Sequence, residues 1–167
     1  MDTNFAISLL NNTHCQQIID LILHIEQVEF NEQITIDDQP DLLNIESNYF
    51  KTGGRFWGII HNGEVIATIA LILNGHRAGT VGKMFVKQEF RGKELNLAQQ
   101  LLETLIAYAI DCQIDNLYLG TIERFKAAIR FYERNGFERV DVSELPSYLP
   151  KSEIDDLFYH LNLNDKT

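Results

Sequence analysis

The segment whose residues are best suited to chemistry covers positions 83–105 and reads KMFVKQEFRGKELNLAQQLLETL. In it, a predicted strand ends in Arg-Gly-Lys and leads directly into a long helix. The first turn of a helix has unpaired N–H groups and the positive end of the dipole, so it binds phosphate without a particular side chain. Gly92 and Ala98 let a ligand approach closely, and Asn96 tolerates unusual backbone angles. The segment predicts a phosphate site, although the same residues also suit an ordinary strand-to-helix turn.

Two groups of basic residues stand out in a chain whose formal net charge is −10. The first group is opposed only by Glu89 and consists of Arg77, Lys83, Lys87, Arg91 and Lys93. The second group follows later and consists of Arg124, Lys126, Arg130 and Arg134. These residues could contact a phosphorylated small molecule, or they could be surface residues of a strand and a helix.

Acidic residues dominate the first third of the chain. Residues 1–50 contain nine Asp or Glu and no Lys or Arg, whereas residues 51–167 contain fifteen acidic and fourteen basic residues. An anionic surface repels nucleic acid and anionic lipid, so we expect neither as a partner. The acidic surface is either a solvated face that aids solubility or a face that attracts cationic ligands.

The composition is typical of one globular domain over residues 1–167, with 45% hydrophobic and 23% charged residues. The longest apolar stretch, from Val65 to Leu73, is too short to span a bilayer and fits a buried strand. The first residues lack the pattern of a secretory signal. Two cysteines, Cys15 and Cys112, make neither a disulfide framework nor a metal cluster. We therefore expect a cytoplasmic protein with no membrane span and no metal.

Local signals predict the elements of the first half. Thr13 and Gln16 fit a capping box at the start of a helix, and Pro40 is suited to open a second, shorter helix. Asn62-Gly63 predicts a tight hairpin because both residues tolerate positive φ, and Asn74-Gly75 starts the next turn. The predicted elements are strands at 5–9, 55–61, 64–73 and 79–87 and helices at 13–28 and 40–49.

The second half alternates helices and strands. An apolar stripe with i, i+3, i+4 spacing predicts a helix at 95–110, and Gly136 suits the left-handed end of another helix at 123–135. Strands are predicted at 116–121, 137–142 and 157–163, with a loop containing Pro146 and Pro150 before the last one. The strand–helix–strand unit implies a parallel crossover and the hairpins imply antiparallel pairing. We expect an α/β (mixed α+β) fold whose mixed, mostly antiparallel, twisted sheet carries helices on both faces.

Two motifs within residues 55–140 resemble the GNAT superfamily of N-acetyltransferases. The first is the family's Q/R-x-x-G-x-G/A motif, which follows its fourth strand. It can be read from Lys93 to Ala98, with Asn96 on the first glycine position, or from Arg91, with two further residues before the helix. The second is the A-x-x-x-Y-x-x-x-G-F signature of a later helix, where Phe125 stands at a position that is Asn in many members. Its matches are Ala128, Tyr132, Gly136 and Phe137.

The resemblance implies transfer of an acetyl group from acetyl-CoA to a primary amine by direct attack in a ternary complex. Backbone N–H groups near Phe85 and Val86 would stabilise the oxyanion, unless ladder pairing uses them. Tyr132 would protonate the departing thiolate, unless it is only a core tyrosine of its helix. The resemblance also places the CoA pyrophosphate on a loop and helix start made of Arg91, Gly92, Lys93, Glu94, Leu95, Asn96, Leu97 and Ala98.

The base and the acceptor stay open. Many family members use water chains instead of one base, and the candidates here could equally be surface residues: Glu29, Glu32, Glu123 and His76. If residues 26–46 border the acceptor site, their carboxylates favour a cationic small molecule or the amine of a lysine or N-terminus. Trp57 is expected in the core or, second, on the acceptor wall.

Two other functions compete with the enzyme. Asn96 and Phe125 depart from the family pattern, which favours a catalytically silent acyl-CoA-binding regulatory module. A plain α/β interaction protein would bind no CoA at all. The oligomeric state also stays open, with a homodimer among the options.

Overall fold

Alternating and apolar segments form seven strands in the computed structural model, which describes residues 5–150 and 154–166. The strands build one sheet in the order β1-β2-β3-β4-β5-β7-β6. β4 and β5 run parallel, and every other neighbouring pair is antiparallel. The predicted mixed, mostly antiparallel sheet is therefore confirmed. The strands are β1 (Ile7–Leu9), β2 (Arg55–His61), β3 (Glu64–Leu73), β4 (Ala78–Val86), β5 (Asn116–Thr121), β6 (Glu138–Val140) and β7 (Leu157–Asn162).

Three α-helices pack against this sheet within the described residues. They are α1 (Cys15–Leu23), α2 (Leu97–Asp111) and α3 (Lys126–Arg134). A 3-10 turn precedes α1 and a π-helical segment continues it as His24–Glu29. The single helix expected at 40–49 is wrong: a 3-10 turn at Pro40–Leu43 and a π-helical turn at Glu46–Phe50 replace it. Further 3-10 turns are Ile36–Asp38, Gln88–Phe90, Val142–Glu144 and Leu163–Lys166.

The cap before α1 differs from the expected one. Asn11 Oδ1 accepts the Thr13 N–H at 2.9 Å, and His14 Nδ1 accepts the Asn11 N–H at 3.0 Å. The capping box predicted at Thr13 and Gln16 is therefore wrong, because the helical turn begins at Asn12 and Asn11 holds the extended backbone of a cap residue. The other two helices also begin later than predicted. α3 starts at Lys126 because residues 122–125 form a turn closed by the Phe125 N–H and the Ile122 carbonyl.

Apolar side chains fill both faces of the sheet, which confirms helices on both faces. On one face α2 packs over β3 and β4 and buries residues such as Leu101 and Leu105, and Trp57 joins this core with an edge-to-face contact to Tyr108. On the other face α1 buries Ile18 and Ile22. Alternation along each strand sends successive side chains to opposite faces, so both layers are built from the same strands. The predicted core position of Trp57 is confirmed.

The predicted hairpin at Asn62-Gly63 is confirmed. Asn62 has φ +52° and Gly63 φ +79°, the two positive angles that a two-residue turn with the right-handed twist of its strands requires. The turn sets the register of β2 against β3. Local turn chemistry thus determines how the two central strands pair.

Candidate active site

An opening in the middle of the sheet separates β4 from β5. Their ladder joins Ala78–Thr80 to Asn116–Tyr118 and ends there. Among the described residues, no further pairs link these two strands, so the rest of β4, from residue 81 to 86, borders the opening. In sheets with parallel strands, ligands bind in crevices beside the carboxyl ends of the strands. This opening lies beside those ends and continues into the loop before α2.

A β-bulge shapes the β4 side of the opening. Thr68 pairs with Phe85 and Ala70 pairs with Gly82, so β4 has one extra residue in this interval. Lys83 takes up the irregularity with φ +53°, a left-handed conformation that costs energy for a residue with a side chain. Its carbonyl accepts the Thr68 hydroxyl at 2.7 Å. A bulge turns the strand and redirects its side chains, which explains why Lys83 leaves the regular alternation.

The backbone groups of Val86 point away from β3. The Lys87 N–H donates to the Ile66 carbonyl at 2.8 Å. Because bonded and non-bonded pairs alternate along an antiparallel ladder, the next pair, Val86 with Ala67, exchanges no ladder bonds. By the same alternation, the Phe85 N–H faces β3. Of the two residues predicted to supply an oxyanion donor, Val86 is the one whose N–H is directed to the opening.

The loop and first turn of α2 present a row of unpaired N–H groups. Asn96 directly precedes the helix with φ +56°, and Gly92 has φ +117° and open space where a Cβ would stand. The Gln100 N–H is the first to donate back, to the Asn96 carbonyl at 3.2 Å. In the described part of the chain no acceptor meets the backbone N–H of Lys93, Glu94, Leu95, Leu97, Ala98 or Gln99. Unpaired N–H groups beside the positive end of a helix dipole are suited to an anion.

Asn96 occupies a glycine position of the first motif in both readings. Read from Arg91, the motif places Glu94 and Asn96 on its two small-residue positions and ends at the residue before α2. The loop therefore has no extra residues in this register. The left-handed φ of Asn96 explains why a glycine suits that position, since glycine adopts it without a steric penalty.

The Arg91 side chain is held by protein groups. Its Nη1 and Nη2 donate to the two carboxylate oxygens of Glu29 at 2.7 and 2.8 Å, and its Nε donates to the Val86 carbonyl at 2.7 Å. A two-pronged pair of this kind fixes both partners. Arg91 therefore fixes the loop before α2 to the end of α1 and to the end of β4.

The same segment of chain after α1 also reaches the loop after β5. Arg124 Nη1 lies 3.0 Å from Glu32 Oε1, and the rings of Phe30 and Phe125 are 4.6 Å apart. Residues 29–32 thus tie together the loops that follow β4 and β5, across the opening. Phe125, which stands at the position where many relatives have Asn, therefore has a packing role against Phe30.

The candidate bases lie in places unsuited to proton abstraction. Glu29 and Glu32 are held in the ion pairs with Arg91 and Arg124. The Glu123 side chain is 70% exposed. His76 stacks on Tyr148 in the turn between β3 and β4, at the end of β4 away from the opening.

Tyr132 lies in α3 on the α2 side of the sheet. It is 6% exposed and touches Phe131 and Phe137 edge to face. Its hydroxyl makes no hydrogen bond to a described residue. Among the described residues, His61 Nδ1 is the one fully buried side-chain polar atom without a hydrogen-bond partner. The Tyr132 hydroxyl therefore keeps some accessible surface. Burial, and then the charge of Asp155, raise the pKa of Tyr132 well above its usual range. The phenol is therefore protonated at neutral pH.

Behind β4, buried polar side chains hold Lys83. Its Nζ donates to Gln39 Oε1 at 2.6 Å and lies 3.5 Å from Asp41 Oδ2. Gln39 Nε2 donates to Glu26 Oε1 at 2.7 Å, and the Tyr49 hydroxyl donates to Asp41. Burial raises the pKa of Glu26, while the hydrogen bond from Gln39 and the charge of Lys83 lower it. Sequence reasoning missed this network because its members lie up to 57 residues apart.

A groove of about 330 Å³ runs between α1 and the ends of β3 and β4, but neither Tyr132 nor Asp155 lines it. Among residues 5–150 and 154–166 no three His, Cys, Asp or Glu side chains are arranged to hold a metal ion. None of the helices in those ranges has the length and apolar character needed to cross a bilayer.

The opening, the helix start with its unpaired N–H groups and Tyr132 lie within a segment that matches a known family. The model of the acetyltransferase (GNAT) family matches residues 19–137. The chain belongs to the GNAT family. Membership makes it an acyltransferase of the N-acetyltransferase type, and it confirms the resemblance found in the sequence.

GNAT proteins of several organisms resemble the chain. N-acetylaspartate synthetase from Danio rerio is 31% identical over 126 residues, which cover 72% of this chain and 44% of that protein. A GNAT-family acetyltransferase from Staphylococcus aureus is 40% identical, with a TM-score of 0.92 and coverage of 96% of this chain and 99% of that one. The PaiA N-acetyltransferase from Thermoplasma acidophilum, solved in complex with coenzyme A, shares the GNAT fold at 15% identity, with a TM-score of 0.71 and coverage of 95% and 99%.

Proposed function

We propose that this GNAT protein transfers the acetyl group of acetyl-CoA to a primary amine by direct attack, with both substrates bound at once. The observation that carries the proposal is the opening between β4 and β5, which leads to six unpaired N–H groups at the start of α2. A pyrophosphate on these donors directs the pantetheine arm into the opening. The donors at the helix start are Lys93, Glu94, Leu95, Leu97, Ala98 and Gln99.

In this proposal two groups assist the chemistry. The Val86 N–H binds the thioester oxygen, whose negative charge grows as the tetrahedral intermediate forms. Tyr132 donates a proton to the departing thiolate of CoA. Its raised pKa keeps the phenol protonated throughout the neutral range, so the donor is present whenever the thiolate leaves.

We propose an acceptor that is a cationic small molecule or the amine of a lysine or N-terminus. Ion pairs with Arg91 and Arg124 neutralise Glu29 and Glu32, so these two carboxylates do not provide the attraction. The carboxylate of Asp155, which lies against Gly120 of β5 beside the opening, is left to attract a cation. The name of the zebrafish relative makes aspartate the natural anionic competitor to test.

The test measures thiol release from acetyl-CoA with four amines: spermidine, L-lysine, a lysine-containing peptide and L-aspartate. We expect release with at least one of the first three and mass spectra of the acetylated product. Acetylation of L-aspartate alone contradicts the cationic acceptor. Binding of acetyl-CoA with no acetylation of any amine contradicts the enzyme and supports the silent module.

A further inference from the structure

Asp155 occupies a position that only a glycine in β5 permits. A Cβ added to Gly120 would overlap the Asp155 carboxylate and lie 2.8 Å from its Cγ. Leu117 and Leu119 belong to the core under α2 and α3, so alternation places Gly120 on the other face, toward α1. The carboxylate therefore lies flat against the β5 side of the opening, on the face opposite α2.

Charged groups from β4 and from the neighbouring chain position influence the Asp155 carboxylate. Lys83 acts on it from the bulge of β4, and Asp156 acts on it from the adjacent position. The charge of Asp155 also raises the pKa of Tyr132 on α3. Among the described residues, Asp155 forms no ion pair within 4.0 Å, and Lys83 pairs with Asp41 instead. Asp155 is thus a half-buried carboxylate without a partner cation.

Burial raises the pKa of Asp155 to about 6, the charge of Lys83 lowers it, and that of Asp156 raises it. A carboxylate near this value is ionised at neutral pH and still accepts a proton more readily than an ordinary aspartate. The difference of about two pKa units from its usual value makes proton acceptance about a hundredfold more favourable. The fold thus supplies a base with a tuned strength beside the opening.

We infer that Asp155 binds the ammonium group of the acceptor and takes its proton, so that it serves as the general base of the transfer. This inference rests on the proposed function. Asp155 and Tyr132 then bracket the opening, with a proton acceptor on the α1 face and a proton donor on the α2 face. Gly120 provides the space, and Lys83 keeps the carboxylate ionised before the acceptor arrives.

The steps balance as follows. The ammonium R-NH₃⁺ gives one proton to the Asp155 carboxylate and becomes the neutral amine R-NH₂. The nitrogen lone pair forms a bond to the thioester carbon, and the C–S bond breaks to release the CoA thiolate. Tyr132 protonates the thiolate, and the proton lost by the new amide nitrogen returns to the phenolate. The products are the acetamide, CoA-SH and a protonated Asp155 that releases its proton to solvent.

The test compares Asp155→Asn with the natural chain, using whichever of the four amines the natural chain acetylates fastest. We expect kcat/KM at neutral pH to fall about a hundredfold or more while the Kd for CoA changes less than twofold. The natural chain should lose activity below about pH 6, and Asp155→Asn should lack that acid limb. Lys83→Gln should move the acid limb to higher pH, because the cation that lowers the Asp155 pKa is gone. A purely structural role of Asp155 would not predict this shift.

Asp111→Asn is the matched control, because it removes one exposed carboxylate from the last position of α2. It should retain the activity and the acid limb of the natural chain. If Asp155→Asn keeps the natural rate and pH profile, the inference is wrong and the proposed function stands. Loss of CoA binding together with activity would also overturn it, since Asp155 would then be structural. If the natural chain acetylates none of the amines, the proposed function fails and this inference fails with it.

Discussion

Removing the hydroxyl oxygen of Tyr132 tests its proposed role as proton donor without removing its packing contacts. The Tyr132→Phe variant keeps the ring that packs against Phe131 and Phe137. The lost hydroxyl has no hydrogen-bond partner among the described residues, so no buried partner is left unsatisfied. We therefore expect the free energy of unfolding to change by less than about 1 kcal/mol.

The catalytic effect should be much larger. General acid catalysis typically contributes about 10²–10⁴ in rate, so kcat should fall at least a hundredfold, which is roughly 2.7 kcal/mol of transition-state free energy. Because the pKa of Tyr132 is raised, the natural chain should show no loss of this donor up to about pH 10. The Kd for acetyl-CoA should stay within twofold, since the pyrophosphate is bound at α2.

Stopped-flow thiol release and calorimetry with acetyl-CoA measure the two quantities. Tyr118→Phe is the matched control, because Tyr118 lies in the closed part of the β4–β5 pair and stacks on His160. It should keep the natural rate. A Tyr132→Phe protein that turns over as fast as the natural chain at every pH would refute the assignment of the proton donor.

Three more outcomes follow from the structure. Asp155→Asn should stabilise the fold by up to about 3 kcal/mol above pH 6 and hardly at all below pH 4, because a raised carboxyl pKa means that ionisation costs stability as the pH rises through about 6. Thermal unfolding at both pH values checks this prediction, and equal effects at the two pH values would contradict it. Glu29→Gln and Arg91→Gln should each weaken CoA binding about fivefold. The double variant should weaken binding no more than either single variant, since the two side chains act as one pair. Additive losses of affinity in calorimetry would show that the two residues have independent roles. Gly54→Ala should lower the free energy of unfolding by about 2 kcal/mol or more, because a Cβ there overlaps the Leu71 carbonyl; an unchanged urea midpoint would contradict it.

Local patterns in the sequence account for most of the fold. The alternation of apolar residues and the turn residues Asn62-Gly63 located the central strands, and one apolar stripe located α2. Errors arose where neighbouring residues compete for the same role. Asn11 and Thr13 are both good cap residues, and the backbone conformation of Asn11 gave it the role.

The site was predictable only as far as it is local in the chain. The helix start around Asn96 is formed by consecutive residues, so its spacing was visible in the sequence. The role of Asp155 could not be predicted, because it depends on contact with Gly120, which is 35 residues away in β5. The pairing of Glu29 with Arg91 joins residues 62 positions apart. Long-range contacts of this kind leave no periodic signal.

The helix start is the most direct place to test the account. Calorimetry should compare coenzyme A with pantetheine, which has the same thiol arm but no pyrophosphate. We predict that coenzyme A binds at micromolar concentration and pantetheine at least about 100-fold more weakly, because the unpaired N–H groups before and in the first turn of α2 bind the missing anion. Equal affinities, or no heat from millimolar coenzyme A with folded protein, would contradict it.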